Sequence, residues 1–154
     1  MITGTIKNQV DQIWNTFWSG GVSNPLSVIE QITYLLFAKR FDELHAGKES
    51  QANLLGEAIN NPIFDPHQTN LRWSYFKDFD PERKFTVFRD QVFPFIKSLN
   101  GRVGSAYARF MKDAVFIIPT PALLDKVTNM IDAIPMHDRL TKGNLFAVKV
   151  MLSR

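Results

Sequence analysis

Apolar residues recur at helical spacing along most of the chain. Near the N-terminus they lie three, four and one residues apart, which places them on one side of a helix with about 3.6 residues per turn. The members of this first stripe are Ile6, Val10, Ile13, Trp14, Phe17 and Trp18. Ser19-Gly20-Gly21 follows, and glycine permits the positive φ that ends a helix and reverses the chain. We therefore predict a first helix that ends at this turn.

A second apolar stripe begins after the turn, at Asn24-Pro25. Asparagine accepts a hydrogen bond from a free backbone N–H at a helix start, and proline loses nothing at the first helical position. The helix is predicted to end near Leu44, because residues 45–50 are polar and include a glycine, and a separate short helix is predicted over 51–59. The first two helices predict an αα-hairpin that forms the nucleus of the core.

The middle of the chain alternates irregular and aromatic stretches. Residues 62–70 are rich in Pro, Asn and Asp, which predicts a loop, anchored by Ile63 and Phe64. His67 has no second His, Asp or Glu at ligand spacing, so it is interpreted as a surface histidine rather than a metal ligand. The next residues place Trp73, Tyr75, Phe76 and Phe79 among Arg72 and Lys77. Such a mixture can stack bases, but the spacing is more typical of a short helical turn that closes the core.

A third clear stripe runs over 84–99, after a predicted cap at Asp80-Pro81-Glu82. Its apolar members are Phe85, Phe88, Val92, Phe95, Ile96 and Leu99. Pro94 lies inside the stripe and removes one backbone hydrogen bond, which predicts a kink or a division of the helix near Val92.

Two further helices are predicted in the C-terminal third. Residues 105–116 are helical or partly extended in this interpretation, with inward-facing side chains at Tyr107, Phe110, Met111 and Val115. Thr120 is the natural N-cap of the other helix, over 122–134, with Pro121 at its first position. The chain is therefore predicted to be all-α, a compact bundle of about six helices organised on the N-terminal hairpin, since no alternating run requires a sheet.

Composition restricts the class of protein. A chain of 154 residues with 45% apolar and 21% charged residues suits one globular domain. It has no cysteine, which excludes disulfides and thiolate metal sites and fits a reducing compartment. No segment has the pattern of a secretory leader or a bilayer span. We expect a cytoplasmic protein without a membrane partner.

Positive charge is concentrated in residues 72–112, which hold nine basic and four acidic side chains within a chain of net charge +3. A patch of this size attracts phosphate, although many such runs form a solvated face. The candidate DNA-contacting residues are Arg72, Lys77, Arg83, Lys84, Arg89, Arg102, Arg109 and Lys112.

Catalytic motifs are absent from the sequence. It contains no Gly-rich phosphate loop after a strand, no His-Glu-x-x-His, no nucleophile elbow and no paired metal-ligand set. The carboxylates Asp42, Glu43, Asp78, Asp80 and Glu82 are interpreted as helix caps and solvated charges. We expect no catalytic residue, cofactor site or metal site in this chain.

Three ordered segments resemble a known family: IKNQVDQIWNTFW, NPLSVIEQITYLLFAKRFDE and FDPHQTNLRWSYFKDF. They are similar to the N-terminal helical domain of the modification (M) subunit of type I restriction–modification systems, which are adenine-specific DNA methyltransferases. The resemblance extends to MHDRLTKGNLF, where that family passes into its methyltransferase domain. It implies a helical domain over 1–143 and a divergent tail over 144–154, which suggests a truncated, frame-shifted or altered product.

The resemblance also implies a parent reaction, the transfer of a methyl group from S-adenosylmethionine to N6 of a flipped adenine. In the family, the cofactor site and the Asn-Pro-Pro-aromatic motif lie in a downstream Rossmann-like domain. Here Asn24-Pro25 and Asn61-Pro62 are followed by Leu26 and Ile63, so neither pair matches that motif. The enzyme activity therefore belongs to the parent protein, and this chain alone is not expected to be an enzyme.

Two functions follow from the resemblance. The first is a non-catalytic domain that contacts the backbone of double-stranded DNA and assembles with the specificity subunit, the restriction subunit and a second M subunit. The alternative is a free-standing helical adaptor or truncated remnant without a DNA role. A third reading, in which the chain itself methylates DNA, lacks the strand, Gly-rich loop and helix that bind the cofactor.

Overall fold

The fold is all-α throughout residues 4–99 and 105–134, which are the residues that the computed structural model describes. These residues contain no β-strand, which confirms the predicted fold class. A 3₁₀ turn over Pro66–Leu71 and a π-helical turn over Phe88–Val92 supplement the α-helices. The α-helices are α1 (Gly4–Ser19), α2 (Pro25–Leu55), α3 (Trp73–Phe76), α4 (Pro81–Val87), α5 (Phe93–Ser98), α6 (Ser105–Met111) and α7 (Pro121–Asp132).

Helix α1 follows the predicted stripe in its central turns. Val10, Ile13 and Phe17 are buried, as predicted, and the side chain of Ile6 lies outside the described residues. The prediction for Trp18 was wrong, because this ring at the last turn of α1 is 53% exposed. The chain reverses through Gly21 at φ 100° into α2, but α1 packs chiefly against α7, so the hairpin alone does not form the core.

Helix α2 is one continuous helix of 31 residues, so the predicted break near residues 45–50 was wrong. Its start is as predicted, since the Asn24 side chain accepts from the N–H groups of Leu26 and Ser27 at 2.9 and 3.2 Å. The polar stretch stays helical because buried contacts continue through His45 and Ala52. Tertiary packing thus outweighs the modest helix propensity of this stretch.

The segment between α2 and α4 packs its predicted anchors inward. Ile63 and Phe64 are buried, and so are Trp73 and Phe76, which confirms the aromatic turn as a core element. Tyr75 is 48% exposed, however, and departs from that pattern. His67 is exposed, as predicted, and Phe79 is half-buried. The predicted cap is present, because Asp80 accepts from the Arg83 N–H at 3.1 Å.

Pro94 divides the third stripe where the sequence predicts it. The π-helical turn precedes the proline, and the Phe93 N–H bonds five residues back, to the Phe88 carbonyl. This wider turn leads the chain past the residue that lacks an N–H group. The inward face is retained across the division, because Phe88, Val92, Ile96 and Leu99 are buried, while Phe85 and Phe95 are half-buried.

The C-terminal third begins with α6, which is shorter than the predicted helix and is followed by a turn over 112–113 and by extended chain over 114–120. The amide of Gln31 holds this extended chain, since it donates to the Val115 carbonyl at 3.0 Å and accepts from the Ile117 N–H at 3.1 Å. The inward orientation predicted for Val115 was wrong, because its side chain is 61% exposed. In extended chain the neighbouring Ala114 faces the core instead.

Helix α7 lies at the centre of the fold. Its most extensive contacts are with α4 and α1. Thr120 caps it as predicted, with its hydroxyl accepting from the Leu123 N–H at 3.1 Å. Its buried apolar residues are Leu123, Leu124, Val127 and Ile131, with Ile134 just beyond the helix. The proposed domain boundary at residue 143 and the tail over 144–154 lie outside the described residues.

Replacement of Gly47 by alanine tests the continuity of α2. Gly47 is exposed within the helix and nothing lies within 4 Å of a Cβ built there, so Gly47→Ala should raise the free energy of unfolding by about 1 kcal/mol. Gly21→Ala is the matched control in open space, and its positive φ should make it destabilising by about 1 to 2 kcal/mol. Urea unfolding measures both, and a loss of stability in Gly47→Ala would contradict a continuous helix.

Candidate assembly and nucleic-acid surface

The candidate DNA-contacting residues divide into an internal and an external group. Arg72, Lys77 and Lys84 form hydrogen-bonded ion pairs with carboxylates on other helices. Lys84 is the most enclosed of them, at 1% exposed, and its ammonium lies 2.7 Å from Asp125 on α7. These three side chains therefore contribute to the packing of the domain.

Arg72 binds two carboxylates of α2. Its Nε donates to Asp42, and one terminal nitrogen lies 3.0 Å from Glu49. The second oxygen of Asp42 accepts from the backbone N–H of Ser74 at 2.8 Å, so it satisfies a free donor at the start of α3. Asp42 is buried in the middle of α2, so its interpretation as a solvated charge was wrong, although it does satisfy a free N–H at the start of another helix, α3.

Lys77 belongs to a polar cluster at the C-terminal end of α7. Asp132 accepts from the Trp73 indole N–H at 2.8 Å and from Lys77 at 3.3 Å. Burial alone would raise the pKa of Asp132, but these two donors hold the pKa of its carboxyl below the usual value. Buried Lys39 adds three bonds to backbone carbonyls of the same helix end.

The external group consists of residues whose charge faces solvent. Arg83 covers the Phe79 ring at 3.8 Å from its centroid, and Arg89 pairs with its neighbour Asp90. Arg109 and Lys112 are exposed and form no ion pair within the described part of the chain. Arg102 lies outside the described residues. DNA contact by any of these residues stays a prediction.

His45 is a functional candidate that the sequence did not single out. It is buried beside a cavity of about 430 Å³, and its Nδ1 accepts from the backbone N–H groups of Ile63 and Phe64 at 3.3 and 3.4 Å. Burial lowers the pKa of its imidazole, and the charge of Arg72 lowers it further. The sequence signal that could have identified His45 is its position, as a polar residue, in register with the apolar stripe of α2. Gln31, Lys39 and Asp42 share this feature.

The described residues show neither a metal site nor a membrane span. Among residues 4–99 and 105–134, no group of three or more His, Cys, Asp or Glu side chains is arranged to hold a metal ion. None of the described helices is both long and apolar enough to cross a lipid bilayer.

Comparison with known proteins identifies the class of this helical domain. The family described as "HsdM N-terminal domain" matches residues 6–131. No curated protein matches the chain. A solved structure, described as "Structural basis underlying complex assembly and conformational transition of the type I R-M system", contains a chain that superposes with a TM-score of 0.72 at 18% sequence identity. The match covers 97% of this chain and 30% of that chain, so this chain spans less than a third of that chain's length.

The described fold is thus that of an all-α domain whose helices are joined by buried polar contacts. The chain belongs to the HsdM N-terminal domain family. This membership confirms the resemblance to the N-terminal part of type I modification subunits, and the structural superposition supports the same fold.

Removal of the Asp42 carboxylate should be costly. Asp42→Ala leaves the Arg72 guanidinium and the Ser74 N–H without that acceptor in a largely buried place, and we expect a loss of about 3 kcal/mol in the free energy of unfolding. Asp90→Ala is the matched control, because its pair with Arg89 is solvent-exposed and should add little stability. Equal effects of the two substitutions in urea unfolding would contradict a structural role for the Asp42 pair.

Protonation of His45 should destabilise the fold. Because its pKa is lower in the folded than in the unfolded chain, the unfolded chain binds the proton first, and stability is lost as the pH falls below about 6.5 toward the folded pKa. His45→Asn keeps a side-chain acceptor but cannot titrate. On acidification, we expect the unfolding free energy of wild type to fall relative to that of His45→Asn. A difference between the two that does not change with pH would contradict this role.

Proposed function

We propose that this domain contacts DNA through its phosphate backbone and takes part in the assembly of a type I restriction–modification complex. Membership in the HsdM N-terminal domain family supports this function. The structurally similar chain comes from work on complex assembly of a type I system, which is consistent with a role in assembly. The proposed partners are double-stranded DNA, the specificity and restriction subunits and a second M subunit.

The exposure of Arg109 and Lys112 is the observation that carries the DNA part of the proposal. Both belong to the basic 72–112 segment, and neither is neutralised by an acidic side chain within the described residues. Arg83 and Arg89 add exposed guanidinium groups from α4 and the π-helical turn. Exposed cations of this kind exchange condensed counterions for phosphate contacts. Arg72 and Lys84, in contrast, are already bound to carboxylates inside the fold.

Exposed apolar side chains support the assembly part. Leu54 and Leu55 at the end of α2 are 87% and 63% exposed, and Val115 and Ile117 project from the extended chain before α7. A contiguous exposed apolar patch marks a surface that another protein covers, and these four side chains are the proposed candidates for such a surface.

Catalysis is proposed to lie elsewhere in the parent protein. The described residues form no strand followed by a glycine-rich loop and a helix, the arrangement that binds S-adenosylmethionine in a Rossmann-like domain. They do not fit the cofactor, and no chemical step is assigned to them. The parent protein is proposed to be an adenine-specific DNA methyltransferase that supplies this site from another domain.

Charge reversal tests the DNA contacts. Arg109→Glu combined with Lys112→Glu should weaken binding to duplex DNA at low salt, and the slope of log K against log salt should become shallower by about 2, since each lost phosphate contact removes about 0.9. Lys126→Glu is the control, because it reverses one charge at an exposed position on α7, and each single variant, Arg109→Glu or Lys112→Glu, is compared with it. Fluorescence anisotropy with a labelled duplex provides both measurements.

The outcome separates the two candidate functions. If wild type shows no salt-dependent duplex binding, or if Lys126→Glu weakens binding as much as the double variant does, the DNA role is wrong. Co-purification with a specificity subunit would then distinguish an assembly domain from a free-standing adaptor or remnant, because only the assembly domain retains that partner.

A further inference from the structure

The cavity beside His45 has the size and composition of a small-molecule site. Its volume of about 430 Å³ falls within the range of ligand pockets, and apolar side chains such as Ile59, Pro62 and Phe64 form much of its wall. The polar groups of the wall come from α2 and from the segment before α3. Sites of this kind combine an apolar surface with a few fixed donors and acceptors that orient the ligand.

His45 offers the cavity a fixed hydrogen-bond donor. Because its Nδ1 accepts from two backbone N–H groups, the neutral imidazole carries its proton on Nε2. The residue is only 5% exposed. The Glu49 carboxylate oxygen that faces Nε2 is 3.9 Å away, which is beyond hydrogen-bonding distance. This N–H therefore forms no hydrogen bond with Glu49 and is open to a ligand in the cavity.

Glu49 offers an acceptor next to that donor. One of its oxygens binds Arg72 at 3.0 Å, and the other is the oxygen that faces His45. A donor and an acceptor thus lie side by side in one cavity. Their complement is a ligand edge with an acceptor next to a donor, such as a ring nitrogen beside an amino group or a carbonyl beside a ring N–H. Each of the nucleobases has such an edge.

Tyr75 provides a surface on which a planar ring can stack. Its side chain lines the cavity and is 48% exposed, and the Arg72 guanidinium lies 5.9 Å from its ring centroid. Aromatic side chains at nucleic-acid sites stack bases in this way.

Charge selects an uncharged ligand. Glu49 and Asp65 line the cavity. Among the described residues that line it, Arg72 is the one cation, and it is already matched by Asp42. A phosphate group inside the cavity would meet two carboxylates without a free cation, which is unfavourable. The base itself can enter, while a phosphate attached to it must stay outside.

We propose that this cavity binds an uncharged nucleobase, which accepts from His45 Nε2–H, donates to Glu49 and stacks on Tyr75. The base comes either from a free nucleoside or from a nucleotide displaced from its strand. The site is independent of the phosphate contacts proposed above, because a nucleoside has no phosphate. It can thus be tested at high salt, where backbone binding is suppressed.

The test is an NMR titration of the full 154-residue chain with adenosine at high salt. We expect saturable shifts of the backbone amides of His45, Glu49 and Tyr75. N6,N6-dimethyladenosine keeps the ring but lacks the amino N–H, and it should bind about tenfold more weakly. At the same high salt, adenosine monophosphate should bind no more tightly than adenosine. A short deoxyadenosine strand that binds more tightly than adenosine at high salt would indicate a strand as the source, and weaker binding of the strand would indicate a free nucleoside.

Two substitutions isolate the stacking surface. Tyr75→Ala should weaken adenosine binding about tenfold, whereas Tyr75→Phe should retain it. Trp18→Ala is the matched control, because it removes an exposed aromatic ring that does not line the cavity. Circular dichroism checks that each variant is folded.

Several results would overturn the proposal. They are the absence of saturable shifts up to the solubility of adenosine, unchanged affinity in Tyr75→Ala, equal affinity for the dimethylated nucleoside, and tighter binding of the monophosphate than of adenosine. If N-acetylglutamine methylamide bound the same residues as tightly as adenosine, the occupant would be a peptide group, and the nucleobase assignment would be wrong. None of these results depends on duplex binding by Arg109 and Lys112, so failure of one proposal is distinguishable from failure of the other.

Discussion

A buried ammonium group on α2 fixes the position of the central helix. Lys39 is 8% exposed, and its three N–H groups reach the carbonyls of Ile131, Asp132 and Ile134 at 3.0 to 3.2 Å. Burial lowers the pKa of Lys39, and the hydrogen bonds to the negative end of the α7 dipole offset the cost of desolvation. Since α1 and α4 both pack on α7, their placement depends on this contact as well.

Local chemistry explains which parts of the fold the sequence predicted. Asn24, Asp80 and Thr120 cap their helices as expected, because a cap involves only residues two or three positions away. Pro94 divides its helix for an equally local reason. The errors include the break predicted in α2, the length of α6, and the burial predicted for Trp18, Tyr75 and Val115. Whether a polar stretch continues a helix, or whether a ring at a helix end is covered, depends on distant elements that hydrophobic periodicity does not locate.

The candidate surface was less predictable, because the partner of a charge is rarely near it in sequence. Arg72 binds Asp42 and Lys84 binds Asp125, 30 and 41 positions away. A count of basic residues over 72–112 cannot separate such internal cations from Arg109 and Lys112 at the surface. The resemblance to type I modification subunits identified the family correctly. It gave no indication of the His45 cavity, whose wall is complete only when the chain between α2 and α3 folds back onto α2.

The dependence of α3 on Asp42 has a consequence for the order of folding. This helix has only four residues, too few to be stable alone, and its own N-cap residue, Arg72, makes no side-chain cap bond. The carboxylate that satisfies its Ser74 N–H belongs to α2, 32 positions earlier in the chain. Helix α3 should therefore form late, after α2 is in place, and substitutions within it should change the unfolding rate more than the folding rate.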